Sequence, residues 1–282
     1  MELCQILYSD EYKDTMSALR DHLQNKIYTE EALQLTEEAL ELLASHYTTW
    51  QYRYTIIKHL KKDLFEELDW CELVALENEK NYQIWNYRQR IIDDILADEE
   101  TASKFDYKRE LPILRMMLQQ DSKNHHVWSY RKWFVEKFGL FDNASEIEFV
   151  TGAIDADLRN NSAWTHRFFL RAKGSGFDTG FDDEVQFCQS RIDVCPQNPS
   201  SWNYLVGMYA RSERKLGELK EFCEKYGDVT QDKIASSFAV ETMAKIAVEE
   251  KNGDRARQLY EMLAEKYDPI RANYWRYMKE RV

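Results

Sequence analysis

Apolar residues recur along most of this chain at spacings of three and four, which predicts amphipathic helices with one buried stripe. The stretch 29–45 shows the pattern well, because Thr29 suits a helix N-cap and apolar residues then follow near helical spacing. Only 9 glycines and 4 prolines interrupt the 282 residues, so long helices meet few breaks. Four later acidic stretches repeat the pattern and are predicted as helices of the same kind: 63–78, 106–120, 143–157 and 181–194.

A second helix is predicted after each of these, and each contains a tryptophan at a nearly constant interval. Successive tryptophans are 35 to 43 residues apart, and in the last four copies an asparagine stands four residues before the tryptophan. Asparagine is a strong N-cap residue, so it marks where each second helix begins. A period of this length indicates stacked pairs of helices. The five copies are centred on Trp50, Trp85, Trp128, Trp164 and Trp202.

An arginine follows the first four tryptophans three residues later and falls on the same, otherwise apolar, helix face. Because an unpaired buried charge is very costly, each guanidinium needs a carboxylate or carbonyl on an adjacent helix. We therefore predict a polar ladder that fixes how neighbouring helix pairs dock, with the recurring aromatic residues in the same interface. The residues predicted to be structural in this way include Trp85, Arg88, Trp128, Arg131, Trp164 and Arg167.

These features predict an all-α fold: a superhelical array, or α-α solenoid, of helical hairpins with tetratricopeptide-like curvature and about 13 to 15 helices. The array is assigned to a single domain, residues 1–282. Three closely spaced glycines predict a loop over 173–180. After Trp202 the motif fades, since Leu205 replaces the arginine. Residues 213–282 are therefore predicted to be a degenerate cap, with helices at 216–226, 230–250, 254–267 and 270–280 and a candidate remnant of the motif at Trp275 and Arg276.

The charge and the cysteines narrow the functional classes. The chain has 50 acidic and 38 basic residues, and its net charge of −12 argues against a nucleic-acid binder that tracks phosphates. No apolar run approaches the roughly 20 residues of a transmembrane segment, and the N-terminus lacks a signal-peptide pattern. The five cysteines are scattered without a Cys-x-x-Cys pair, which predicts reduced thiols, a cytoplasmic protein and no metal site. Acidic runs such as Glu66-Glu67 and 98–100 are interpreted as solvated faces.

The Asn-x-x-x-Trp-x-x-Arg repeat resembles that of protein prenyltransferase α subunits, above all the α subunit shared by farnesyltransferase and geranylgeranyltransferase type I. The segments 80–85, 121–128 and 159–164 look like its second, third and fourth copies. The resemblance implies an obligate heterodimer, in which a crescent of helical hairpins wraps around a β subunit. That enzyme attaches farnesyl or geranylgeranyl from the prenyl diphosphate to the cysteine of a C-terminal Cys-aliphatic-aliphatic-X motif. The zinc is expected in the β subunit, no cofactor is expected in this chain, and magnesium is left open.

The same resemblance assigns roles to a few residues. Lys123 matches a lysine that contacts the prenyl diphosphate and assists its departure, and His125 stands where the family usually has tyrosine near that diphosphate. Both are taken as catalytic and substrate-binding. Gln83 matches a glutamine that binds the carboxylate terminus of the protein substrate. Asn160 is placed in the substrate-binding set, although a cap position suits architecture equally.

From the residues alone, other interpretations stay open. Lys123 beside a helix cap is ordinarily a solvated surface residue, although a helix N-terminus also favours an anion. Neighbouring His125 and His126 point about 100° apart on a helix, which disfavours one shared metal ion. A rival function is a non-catalytic helical-repeat scaffold for protein partners. Another is the α subunit of the Rab geranylgeranyltransferase, which works with an escort protein.

Overall fold

The computed structural model describes residues 6–282, and these residues form an all-α protein without a β-strand. Sixteen α-helices lie in this range, against the 13 to 15 expected. The sequence pattern did not indicate two of these helices. One lies near the N-terminus, and the other is a short helix that begins within the acidic run at 98–100. There the Asp98 carboxylate accepts hydrogen bonds from the backbone N–H of Glu100 and Thr101, so it starts a helix of six residues.

The chain divides after Phe134 into two compact units, and each is described by itself. The assignment of 1–282 to one domain stays a prediction. Two predicted first helices of this part are observed within two residues of their expected starts, and the third begins later, after a 3-10 turn at Tyr107–Arg109. The helices of the first unit, the last of which crosses the division, are α1 (Asp10–Gln24), α2 (Glu30–Leu42), α3 (Tyr47–Leu60), α4 (Leu64–Glu77), α5 (Tyr82–Ala97), α6 (Glu99–Lys104), α7 (Glu110–Gln120) and α8 (His125–Phe138).

The second unit continues the pairing and ends in a cap without the repeat motif. One predicted boundary was wrong: the helix expected from residue 230 begins at Ser237, because Asp228 binds Thr230 and Gln231 in a turn. A π-helical turn, Leu263–Tyr267, extends the last but one helix. The helices are α9 (Ala144–Ala156), α10 (Asn161–Lys173), α11 (Phe181–Val194), α12 (Pro199–Tyr209), α13 (Lys220–Gly227), α14 (Ser237–Glu249), α15 (Gly253–Met262) and α16 (Ala272–Glu280).

The predicted polar ladder is confirmed in three copies, where a buried arginine forms a bidentate pair with a glutamate of the next first helix. Arg53 pairs with Glu67 at 2.6 and 2.9 Å, and Arg167 pairs with Glu184 at 2.5 and 2.7 Å. Both guanidinium groups also stack on an aromatic ring, at 3.4 and 3.8 Å from its centroid. Arg131, the remaining member, is buried as predicted.

Each of these glutamates also accepts a second hydrogen bond from its own hairpin. Each glutamate lies 18 residues before a motif tryptophan, and the residue two positions after that tryptophan bonds to the glutamate. Tyr87, Tyr130 and Tyr204 donate their hydroxyl groups over 2.6 to 2.7 Å, and His166 pairs with Glu146 at 2.8 Å. The interpretation of Glu66-Glu67 as a solvated face was therefore wrong for Glu67, which is 6% exposed because it is the acceptor of the ladder.

The motif asparagines do more than cap their own helices. Asn81 donates its side-chain N–H to the carbonyl of Ala44, and Asn198 donates to that of Leu158. The carbonyls lie near the start of the preceding hairpin's second helix, so each asparagine also joins two hairpins. At the candidate remnant of the motif near the C-terminus, Trp275 is buried, whereas Arg276 is exposed and bonds Asn273, so Arg276 is not paired like the ladder arginines.

None of the helices between residues 6 and 282 has the length and apolar character needed to cross a bilayer.

Candidate functional site

Three of the residues singled out by the sequence lie where α5 and α8 begin: Gln83, Lys123 and His125. Asn81 caps α5 through the backbone N–H of Gln83, at 2.9 Å. Asn124 caps α8 through the N–H of His126 at 3.0 Å, and its side-chain N–H also donates to the carbonyl of Glu79 at 2.8 Å. These bonds hold the two helix starts side by side, so the residues next to the caps share one surface.

Lys123 is exposed on this surface, immediately before the cap of α8. Its backbone N–H donates to one carboxylate oxygen of Asp121 at 3.0 Å. The other carboxylate oxygen of Asp121 accepts a hydrogen bond from the ammonium of Lys80, and Lys80 followed by Lys123 lowers the pKa of that carboxyl group. Two lysines therefore flank one carboxylate.

Sequence reasoning did not assign Lys80 to the site. The signal was available, because Lys80 stands before Asn81 as Lys123 stands before Asn124. What the sequence does not show is that residues 41 positions apart meet at Asp121.

An aromatic row extends from the two lysines. His125 is exposed, and its ring lies 5.4 Å from that of His126. The His126 ring in turn lies 6.3 Å from the ring of Tyr82, whose hydroxyl accepts a hydrogen bond from the amide of Gln83 at 2.9 Å. Burial, then the nearby charges of His125 and Lys80, hold the pKa of His126 below its ordinary 6.5. His126 is therefore mainly neutral at pH 7.

Gln83 also lines a small cavity of about 160 Å³ between α3 and α5. Its side chain is half-exposed, so its amide can reach a bound molecule. The other lining residues are aromatic or neutral polar except for one arginine: Tyr47, Trp50, Gln51, Asn86, Tyr87 and Arg90. A primary amide beside a guanidinium can receive a carboxylate, which is the group that the family resemblance implies there.

Asn160 belongs to the second unit and is 1% exposed. Its side-chain oxygen accepts hydrogen bonds from the backbone N–H of Ser162 and Ala163, at 3.1 and 3.3 Å. These contacts are those of a helix cap. A direct role of Asn160 in substrate binding stays a prediction.

The surface formed by Lys80, Lys123, His125 and His126 suits an anion with several oxygens. Two ammonium groups and two imidazoles stand at helix starts, where free N–H groups and the positive end of the dipole already favour negative charge. Asp121 opposes this and sets the orientation of Lys80. No group of three or more His, Cys, Asp or Glu side chains among residues 6–282 is arranged to hold a metal ion.

Comparison with known proteins identifies the family of this chain. Residues 29–60, 64–95, 107–138 and 143–173 match the protein prenyltransferase alpha subunit repeat. The protein farnesyltransferase/geranylgeranyltransferase type-1 subunit alpha of Candida albicans is 50% identical over 279 residues, which cover 98% of this chain and 90% of that one. The chain belongs to the protein prenyltransferase α-subunit family.

A further relative and a solved structure extend the likeness. The farnesyltransferase/geranylgeranyltransferase type-1 subunit alpha of Dictyostelium discoideum is 32% identical, over 98% of this chain and 86% of its own. A solved structure titled Candida albicans protein geranylgeranyltransferase-I complexed with GGPP matches with a TM-score of 0.93 and 48% identity, over 99% of this chain and 93% of that one.

Membership of the α-subunit family does not depend on the fifth copy of the motif, which lies outside the matched stretches. That copy still folds as a hairpin of the same kind, because Asn198 caps α12 and Tyr204 bonds Glu184. Only the arginine is lost, and Leu205 fills its place in the core.

Proposed function

We propose that this chain is the α subunit of a cytoplasmic, heterodimeric protein prenyltransferase. The enzyme transfers farnesyl or geranylgeranyl from its diphosphate to the cysteine of a C-terminal Cys-aliphatic-aliphatic-X motif. The observation that carries the proposal is the cationic surface at the starts of α5 and α8, in a chain that shares half its sequence with a named α subunit of this class.

The transfer reaction requires a cationic surface of this kind. As the carbon–oxygen bond to the diphosphate breaks, negative charge grows on the leaving oxygens, and cationic groups placed there lower the barrier. Lys123 supplies an exposed ammonium group, and His125 supplies an imidazole one helical step beyond the cap. Gln83, with Arg90 beside it, would receive the carboxylate terminus of the peptide.

The remaining catalytic groups are assigned to the β subunit. The metal that activates the cysteine thiol is expected to be zinc in the β subunit, as the family resemblance implies. Magnesium is left open. Prenyl transfer therefore requires the heterodimer, and this chain contributes positioning and charge.

The test is single-turnover prenyl transfer by the chain co-expressed with a β subunit, using a peptide that ends in the cysteine motif. Lys123→Ala should keep the heterodimer and lower the transfer rate by about 10²-fold, the usual effect of removing one group that stabilises developing charge. Lys108→Ala is the matched control, because Lys108 is an exposed lysine of the same unit that lies away from the site.

The Lys80→Ala variant is measured in the same single-turnover assay as Lys123→Ala. A normal rate for Lys123→Ala together with a slow Lys80→Ala would move the diphosphate contact from Lys123 to Lys80. His125→Tyr, which restores the usual family residue, should retain activity, whereas His125→Ala should lose part of it. If the wild-type chain assembles with no β subunit and supports no transfer, the scaffold function replaces the enzymatic one.

A further inference from the structure

Two cavities in this chain occupy the same place in the repeat. One lies between α3 and α5, and the other lies between α10 and α12. Each lining residue can be numbered from the motif tryptophan of its own helix. In both cavities the earlier helix contributes positions −3, 0 and +1, and the later helix contributes positions −2, +1, +2 and +5. The repeat therefore provides an internal comparison of one site with two different contents.

In the first cavity the +5 position is Arg90, and its side chain forms one wall of the site. Its guanidinium carbon lies 3.4 Å from the ring centroid of Tyr54, at position +4 of the preceding repeat. One guanidinium nitrogen donates to the side-chain oxygen of Gln51 at 2.6 Å. The space that remains is about 160 Å³, and Tyr54 is covered.

In the second cavity the +5 position is Gly207. The corresponding residues of the two intervening repeats are Trp133 and Phe169, so this copy alone among the last four lacks a side chain there. A Cβ at 207 would meet the ring of Phe168 at 3.0 Å, so the glycine lets that ring lie against the helix. The cavity enlarges to about 250 Å³, and Phe168, at position +4, is part of its wall.

We propose that this second cavity, lined by Trp164, Thr165, Phe168, Asn203 and Tyr204, receives an arginine side chain from the partner subunit, in the place that Arg90 occupies in the first cavity. The proposal rests on the proposed function, because it requires that a partner subunit exists. The guanidinium stacks on Phe168, and its N–H groups donate to oxygens of the wall.

The wall has acceptors for such a group. Thr165 stands where Gln51 accepts from Arg90, and Asn203 faces it from α12; both are exposed, and neither side chain makes a hydrogen bond among the described residues. No basic residue lines the cavity. Arg211 of this chain lies 5.3 Å from the Phe168 ring centroid, so it borders the site but does not stack as closely as Arg90 stacks on Tyr54.

The experiment uses the intact heterodimer, with a photo-cross-linking phenylalanine analogue placed at position 203. The expected result is a cross-link to one partner segment that contains an arginine, located by mass spectrometry. A cross-link to a segment that inserts an aliphatic or aromatic residue overturns the choice of guanidinium. An active heterodimer without any cross-link overturns the docking site.

Variants then measure the contact. Thr165→Trp, which blocks the cavity from an exposed position, should weaken subunit association about tenfold, whereas Gln186→Trp on the exposed face of α11 should not change it. Changing the partner arginine to alanine should weaken subunit association much less in the Phe168→Leu background than in the wild-type background. The four combinations form a double-mutant cycle. Equal losses in both backgrounds would overturn the stacking. Failure of the wild-type chain to assemble would instead overturn the proposed function.

Discussion

The buried ladder makes a quantitative prediction at Arg88, whose side chain is fully buried. Its guanidinium donates to both oxygens of Glu110 at 2.6 and 2.8 Å and to the carbonyl of Leu68 at 2.8 Å. Burial lowers the pKa of this arginine, but Glu110 and Tyr130 raise it by more, so the net shift is upward and the pair is charged. Arg88→Met keeps much of the volume and removes every one of these bonds.

The expected loss of stability follows from the buried charge of Glu110, which remains in the variant. Glu110 is also fully buried, and in the variant its charge retains the hydroxyl of Tyr130, at 2.7 Å, and the more distant guanidinium of Arg109, at 3.8 Å. Removing one partner of a buried pair costs about 3 to 5 kcal/mol, because the other charge loses its compensation. At about 2 to 4 °C per kcal/mol, the melting temperature should fall by roughly 6 to 20 °C.

Adding Glu110→Gln tests the cause. A neutral amide removes the uncompensated charge and still offers an oxygen to Tyr130, so the double variant should recover about 2 kcal/mol of the loss. Arg115→Met is the matched control, since Arg115 is exposed on α7, and it should change the free energy of unfolding by less than about 0.5 kcal/mol. Unfolding is followed by calorimetry and urea titration. If Arg88→Met melted like Arg115→Met, or if the double variant were no better than the single one, the ladder would not stabilise the fold as described.

Three further predictions follow from other contacts. Asn81→Ala should destabilise the protein by about 2 kcal/mol, and Asn143→Ala by about 1 kcal/mol, because Asn81 also satisfies a carbonyl of the preceding hairpin; equal losses in urea titrations would contradict this. Burial raises the pKa of Glu184, but Arg167 lowers it by more, so the folded-state pKa lies below the ordinary 4.5; the stabilisation should be complete above pH 4.5 and lost as the pH falls through the lower folded-state value. Glu184→Gln should flatten that part of the stability profile, and an unchanged acid limb would contradict the assignment. Of the four cysteines between residues 6 and 282, Cys195 is the only one that is not buried, so an alkylating reagent should modify it first in the native state; simultaneous labelling of all four would contradict the buried positions.

Much of the fold could be predicted from the sequence, because the signals are local. A helix cap, an apolar stripe and a tryptophan at a fixed position each act within a few residues, so α2, α4 and α9 begin one residue after the predicted starts of their helices. The buried arginines were also predictable, since a charge on an apolar stripe must find an acceptor.

The acceptors were not predicted. Glu66 and Glu67 are adjacent and chemically identical, and only the packing of α4 against α3 turns Glu67 towards Arg53. A spacing of 18 residues to the next motif tryptophan, Trp85, was the available signal, but it becomes meaningful only once the hairpin geometry is known.

The candidate site shows the same division. The sequence by itself determined a period, the helices, their caps and the exposed lysine before Asn124. Only the tertiary structure decided that Lys80 meets Asp121 across 41 residues, and that Gly207 widens a cavity that Arg90 narrows in another repeat. The physical reason is that caps and periodicity depend on neighbours along the chain. Ion pairs and cavities depend on which side chains the docking of separate hairpins brings within a few ångströms.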